Sequence, residues 1–136
     1  MKTVLDANIF ISALFWDGNP LTVTQRAARE SDKLFFTDDI INEVERVLGK
    51  PKLHLSEYDI KRIVMRVEHI GEKISISPRH RVKGVCRDHK DDMYLECALA
   101  AGADYIITGD RDLLDLKEYG GVKIVNARSY LDIVGG

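Results

Sequence analysis

Four short stretches of this 136-residue chain place carboxylates where they could do joint chemistry. Asp6 ends the apolar run "TVL" and is followed by Asn8; Asp110 comes just after "YIITG", with Asp112 two residues on; Asp91 and Asp92 open the stretch that leads into "YIITG". Like charges a few ångströms apart raise one another's pKa, so several acids gathered at one place call for a counter-charge. Oxygen-rich acid clusters are what Mg²⁺ and Mn²⁺ prefer. Such ions hold a phosphodiester, activate water and stabilise a departing oxygen. Each acid also has a plainer use. Asp91 and Asp92 would complement a helix dipole, and Asp110 or Asp112 would cap a helix. Asp6, at the end of a strand expected to be central, is harder to assign to capping alone, and Asn8 would join it as a neutral ligand or stabilise a turn.

These positions matter only if the elements bring them together. Lys2–Leu5 and Lys33–Phe36 read as strands by their β-branched and aromatic content, and "KISIS" (Lys73–Ser77) as a third by alternation. Ile9–Phe15 is too short for periodicity to decide between strand and helix. "DGNP" (Asp17–Pro20) predicts a turn into a helix over Leu21–Glu30. Thr37 caps a helix to about Leu48, and Ser56 and Glu57 open another. Asp91–Ala101 reads as helix, Tyr105–Thr108 as strand, Leu113–Tyr119 as helix, Val122–Val125 as strand and Ala127–Ile133 as helix. Strands alternating with helices, with almost no hairpin signals, predict one α/β domain over residues 1–136: a three-layer α/β/α sandwich around a parallel sheet of about five strands. Ligands bind at the carboxyl ends of such strands, near the point where the strand order reverses. If the first and fourth strands are neighbours, Asp6, Asp91 and Asp110 meet there.

A further acid lies in "IINEVERVL". The apolar stripe of that helix is Ile40, Ile41, Val44, Val47 and Leu48, flanked equally by Glu43 and Glu45, and spacing alone does not choose between them. Composition narrows the rest. A content of 45% hydrophobic and 31% charged residues predicts a soluble globular chain, and no run approaches a membrane span. With 20 basic and 22 acidic residues there is no basic surplus, so nucleic-acid contact would need a local patch or bridging metal. Cys86 and Cys97 lack zinc-ligand spacing, which predicts reduced thiols and a cytoplasmic setting.

The pieces "VLDANIFISALF", "GNP", "IINEVERVL" with "KPK", "DHKDDMYLECALAAGADYIITGDRDLL" and "VKIVNARSYL" resemble, in order and over nearly the whole chain, the PIN-domain family of metal-dependent ribonucleases. Within it they are similar to the VapC-like toxins of toxin–antitoxin systems. The resemblance implies a catalytic quartet of Asp6, Glu43, Asp91 and Asp110, and so prefers Glu43 to Glu45. It implies metal held by Asp6, Asp91, Asp110 and Asp112, with Asn8, Ser12, Asp92 and Thr108 supporting. Asp92 stands where relatives often carry Asn, and Ala7 where they often carry Thr or Ser. The implied activity is endonucleolytic hydrolysis of single-stranded RNA with Mg²⁺ or Mn²⁺, leaving a 5′-phosphate and a 3′-hydroxyl. The implied partners are a small antitoxin protein and a second copy in a homodimer. Lys50, Lys52, Arg79, Arg81 and Lys83 are candidates to touch RNA phosphates. Phe15, Trp16 and Tyr94 read as core or dimer packing before base stacking.

Competing chemistries fit less well. A phosphatase of the haloacid-dehalogenase type would need a second Asp two residues after Asp6, where this chain has Asn8. A receiver domain would need a paired acid at the first strand and a Lys after the last. The alternative from another class is a PIN-like RNA- or protein-binding module with weak or silent nuclease activity.

Overall fold

The computed structural model describes residues 1–135. Lys2–Leu5 forms strand β1, and the chain turns at Asp6 into helix α1 (Ala7–Phe15). The Asp6 side chain accepts a hydrogen bond from the Asn8 amide, which resolves the ambiguous apolar run as helix. Helix α2 (Asn19–Ala28) has Pro20 in its first turn, as the "DGNP" turn predicts. Strand β2 (Lys33–Phe36) leads through the Thr37 cap into α3 (Asp38–Leu48). Helix α4 (Glu57–Ile70) opens with a capping box between Ser56 and Asp59.

Two expected elements move. The third strand, β3, is Gly71–Lys73 rather than Lys73–Ser77. Gly71 caps α4 in an already extended conformation, so pairing with β2 starts there, Leu34 opposite Gly71. Strand β2 ends at Phe36 because Thr37 starts a helix; after the Ile74 amide bonds the Phe36 carbonyl, residues 75–77 have no strand to pair with. Later, helix α5 (Asp92–Ala101) ends at Gly102 in the left-handed region and β4 (Tyr105–Ile107) follows. The predicted helix over Leu113–Tyr119 is instead a single turn, α6 (Arg111–Leu114), followed by a short strand β5 (Glu118–Tyr119). Lys117 at φ 63° breaks the helix. Gly120 and Gly121, both at positive φ, make a two-residue turn that folds β5 back on β6 (Val122–Val125). That Gly-Gly pair was the hairpin signal in the sequence. Helix α7 (Ala127–Val134) closes the described chain.

The sheet has six strands in the order β3-β2-β1-β4-β6-β5, five of them parallel with β5 an antiparallel edge, flanked by helices. Its centre is fully covered: Val4, Leu5, Ile106 and Ile107 are buried, as parallel sheets require. The chain builds outward from β1 through β2 to β3, then crosses to β4 on the other side. The reversal therefore lies between β1 and β4, whose carboxyl ends carry Asp6 and Asp110. Among the described residues no helix is long and apolar enough to cross a membrane.

The α4–β3 junction is tight. A Cβ on Gly71 would stand 2.8 Å from Cδ1 of the buried Phe36 ring. Gly71→Ala is expected to destabilise the fold by ~1–3 kcal/mol, the usual cost of overpacking, and to lower the thermal midpoint. An unchanged midpoint in a calorimetric scan would mean the Phe36 ring yields freely.

Candidate metal centre

Asp6 is buried and both of its oxygens are engaged. One accepts from the Asn8 amide at 3.1 Å; the other accepts from the Thr108 hydroxyl at 2.7 Å. Thr108, itself fully buried at the end of β4, also accepts from the Asp110 amide at 3.0 Å. One hydroxyl thus ties the ends of the two central strands and sets the spacing of their acids. The Tyr94 hydroxyl sits on the other side of Asp6, accepting from the Ala7 amide at 3.0 Å. Burial first, and then the Asp6 charge, raise that phenol above its ordinary pKa.

Asp110 caps α6 with one oxygen, accepting from the Asp112 amide at 2.9 Å. Capping is therefore real for Asp6 and for Asp110. It is not real for Asp91. That residue stands at the N-cap of α5 without making a capping bond, because the turn His89–Asp91 before it is capped by Asp88, which accepts from the Lys90 amide at 3.0 Å. Asp91 Oδ2 is buried without a donor. The Asp110 and Asp6 carboxylates bear on it, and acids gathered in this way call for a proton or a cation between them. Burial, then Asp110 and Asp6, push the Asp91 pKa up to about 7.

The neighbouring Asp92 is spent elsewhere. Its two oxygens accept the Gly84 amide at 3.0 Å and the Cys86 amide at 2.8 Å. One turn further along α5, buried Glu96 accepts the Val82 amide at 3.0 Å and pairs with Arg81 at 3.3 Å. The two acids strap the loop 81–86 to the helix. Burial and the charges of Asp92, Asp91 and Asp110 push the Cys86 thiol up to about 12, so the same negative field reaches it. Both cysteines are free and buried.

Glu43 leans towards the acids: its charge acts on the Tyr94 hydroxyl, while Glu45 is exposed. Arg46 grips Glu43 bidentately at 2.7 and 2.9 Å and, with Lys90 and Lys50 adding, holds it below the usual carboxylate range. The pair edges a cleft of about 390 Å³ that also takes in Arg81, His89, Lys90 and Met93. Of the expected phosphate contacts, Arg81 lines this cleft and Lys50 adds to its potential; Lys52, Arg79 and Lys83 are exposed outside it. Asp112 pairs with the exposed Arg87 at 3.2 Å. The Asn8 side chain is exposed, and Ser12 makes no side-chain hydrogen bond in the site.

Sequence reasoning passed over Tyr94 as a polar contact, Arg46, Lys90 and Glu96. Helical spacing held the signal: Tyr94 and Arg46 lie three residues beyond Asp91 and Glu43, and Glu96 four beyond Asp92.

Residues 2–112 match the family described as "PIN domain". This chain belongs to the PIN-domain family. It is 30% identical over 122 residues to an uncharacterized protein of Methanocaldococcus jannaschii, covering 87% of this chain and 76% of that one. It is also 30% identical over 94 residues to a glyceraldehyde 3-phosphate phosphatase of that organism, 60% of this chain but 38% of the phosphatase. Its fold is similar to VapBC2 from Rickettsia felis, solved bound to a DNA fragment from their promoter: TM-score 0.64, 15% identity, 93% of this chain and 98% of that one. It is similar also to PAE2754 from Pyrobaculum aerophilum: TM-score 0.59, 17% identity, 99% and 98% coverage. The PIN fold is of the nuclease type.

The acids fit a divalent ion, though not as a closed cage. Among the described residues no three His, Cys, Asp or Glu side chains stand so that they could hold an ion by themselves. Mg²⁺ keeps several waters and binds through one or two carboxylates, which is what the Asp91–Asp110 pair and the unpartnered Asp91 oxygen offer.

A raised Asp91 pKa means the folded state keeps a proton that the unfolded chain has lost above 3.8, so stability falls as pH rises from there through about 7. An Mn²⁺ ion held there would compete with that proton, so its stabilising effect on the melting midpoint is expected to be larger at pH 7.5 than at pH 5.5. Asp91→Asn should abolish the Mn²⁺ shift. Asp92→Asn should keep it, but lower the midpoint and speed amide exchange at Gly84 and Cys86. Equal Mn²⁺ shifts in wild type and Asp91→Asn would remove Asp91 from the site.

Proposed function

We propose that the protein is a metal-dependent endoribonuclease that hydrolyses phosphodiester bonds of single-stranded RNA and acts as the toxin of a toxin–antitoxin pair. The observation that supports it most is the convergence of Asp110 and Asp6 on Asp91, with a buried carboxylate oxygen left for a cation. Asp91 and Asp110 would hold Mg²⁺ or Mn²⁺, Asp6 through water, and Asp112 from the rim. When bound, that ion supplies the positive charge that holds a phosphodiester and stabilises the departing oxygen.

The chain's own residues do the remaining work. Thr108 orients Asp6 and, through its amide contact, Asp110. Glu43 orients the attacking water and takes its proton, for which it must be ionised; the cations around it keep it so at neutral pH. Arg81, Lys90 and Lys50 flank the cleft and offer charge to RNA phosphates, with Lys52, Arg79 and Lys83 further out along the strand. A small antitoxin and a second copy of the chain are the proposed protein partners; the toxin of the Rickettsia felis complex, which shares this fold, is the support for the first.

A second reading has its own observation: Arg46 occupies both oxygens of Glu43, as expected of a binding module whose nuclease activity is weak or silent. Incubation with unstructured RNA separates the two. Wild type should cleave with Mn²⁺ or Mg²⁺ and stop with EDTA, and Asp6→Asn should lose at least ~10²-fold in rate. Equal cleavage by both proteins would overturn the catalytic assignment; no cleavage at any metal concentration, with tight binding of RNA, would favour the second reading.

A further inference from the structure

Tyr94 is one of the largest fully enclosed side chains in the protein, yet its hydroxyl reaches the backbone of the turn directly after Asp6. Its environment accounts for this. Ala7 is the first residue of α1, and its amide is one of the donors that no helical carbonyl can satisfy. The Asp6 side chain takes the next such donor, the Asn8 amide, and the Tyr94 hydroxyl takes that of Ala7 at 3.0 Å. The Tyr94 hydroxyl thus ties α5 to the turn directly after Asp6, whose charge bears on it. Asp6 is thereby held by its own helix and by Thr108 from β4, and the residue directly after it is held by Tyr94 from α5.

The last of these ties differs from the others in what it joins. Tyr94 lies three residues beyond Asp91, so both project from one face of the same helical turn. Asp91 itself makes no bond that fixes it to β1; it has neither a capping bond nor a donor on Oδ2. The hydroxyl of Tyr94 is consequently the polar link between the helix that carries Asp91 and the turn that carries Asp6. A phenylalanine would fill the same apolar space without making that link.

We propose that Tyr94 is a positioning residue for the metal site: its hydroxyl pins the start of α5 to the β1–α1 turn and so sets the spacing and orientation of Asp6 relative to Asp91. This rests on the reading of the acids as a divalent-ion site. Groups that orient ligands in this way are typically worth about 10- to 100-fold in metal affinity. The other fully buried tyrosine of this size supplies a control. Tyr130, on α7, is buried with a hydroxyl that makes no hydrogen bond among the described residues, and the charges that bear on it are those of Asp32 and Arg26, not the acids of the site.

The test uses Tyr94→Phe and Tyr130→Phe in the full chain, with two readouts. Amide exchange at Ala7 and Asn8, measured without metal, reports whether the hydroxyl holds the turn. Mn²⁺ affinity, measured by titration calorimetry, reports whether that hold matters to the ions. Tyr94→Phe is expected to speed exchange at Ala7 and to weaken Mn²⁺ binding by about 10-fold or more, whereas Tyr130→Phe leaves both Ala7 exchange and Mn²⁺ affinity unchanged. Unchanged exchange at Ala7 overturns the proposal whatever the metal does. Faster exchange with wild-type Mn²⁺ affinity overturns it too, leaving Tyr94 a purely structural tyrosine. An equal loss of affinity in Tyr130→Phe overturns it by showing a general effect of stability. Failure of the underlying reading looks different: wild type itself would then bind no Mn²⁺, and the proposal would fall with it.

Discussion

The site depends on the electrostatic cost of placing carboxylates together. Asp6 and Asp110 follow neighbouring strands at the carboxyl end of the sheet, and their charges bear on the half-buried Asp91. Left to themselves, such groups would separate or take up protons. They do not separate because each is anchored through something other than its charge. Asp6 ends a strand whose neighbours are fully buried, Asp110 caps a helical turn, and Asp91 is carried by the entry to α5. The core thus holds a strained arrangement of charge in place, and the proton that Asp91 keeps up to about pH 7 relieves it.

Much of the surrounding polar structure makes sense as support for that arrangement. The Thr108 hydroxyl joins the ends of β1 and β4, and the backbone amides of Ala7 and Asn8 are distributed between Tyr94 and Asp6. Asp92 and Glu96 face the other way from α5 and hold the loop 81–86 through three backbone amides. Helix α5 therefore has two roles along its first two turns: Asp91 and Tyr94 serve the acids, while Asp92 and Glu96 fix the basic loop that borders the cleft. Glu43 and Arg46 complete the opposite wall, where the guanidinium keeps the carboxylate ionised.

Legibility differed from element to element. Strands β1, β2 and β6 and helices α3 and α4 could be read at close to their actual bounds, because each has a local cap or a clear pattern: Thr37, Ser56, or a run of β-branched residues. The "KISIS" segment misled because alternation says nothing about whether a partner strand is still available beyond Phe36. The stretch after Leu114 misled because one residue at positive φ, Lys117, outweighed a helical-looking composition. In the site, Asp6, Asp91 and Asp110 were legible as a set, but Asp91 and Asp92 were not separable. Adjacent residues at a helix start look alike until one is seen to spend both oxygens on the amides of Gly84 and Cys86.

The sequence by itself determined the kinds of groups and their order along the chain: acids directly after the strand-forming runs, helices between them, and the PIN-domain pattern they make together. These are local facts, set by propensity, capping chemistry and spacing. Tertiary structure alone decided which acids converge and that Tyr94 reaches the Ala7 amide beside Asp6. It also decided that Asp92 serves the loop and not the acid cluster. Such choices turn on distances between segments as much as 102 residues apart, as between Asp6 and Thr108. No local preference encodes them; they follow from the strand order that places β1 beside β4.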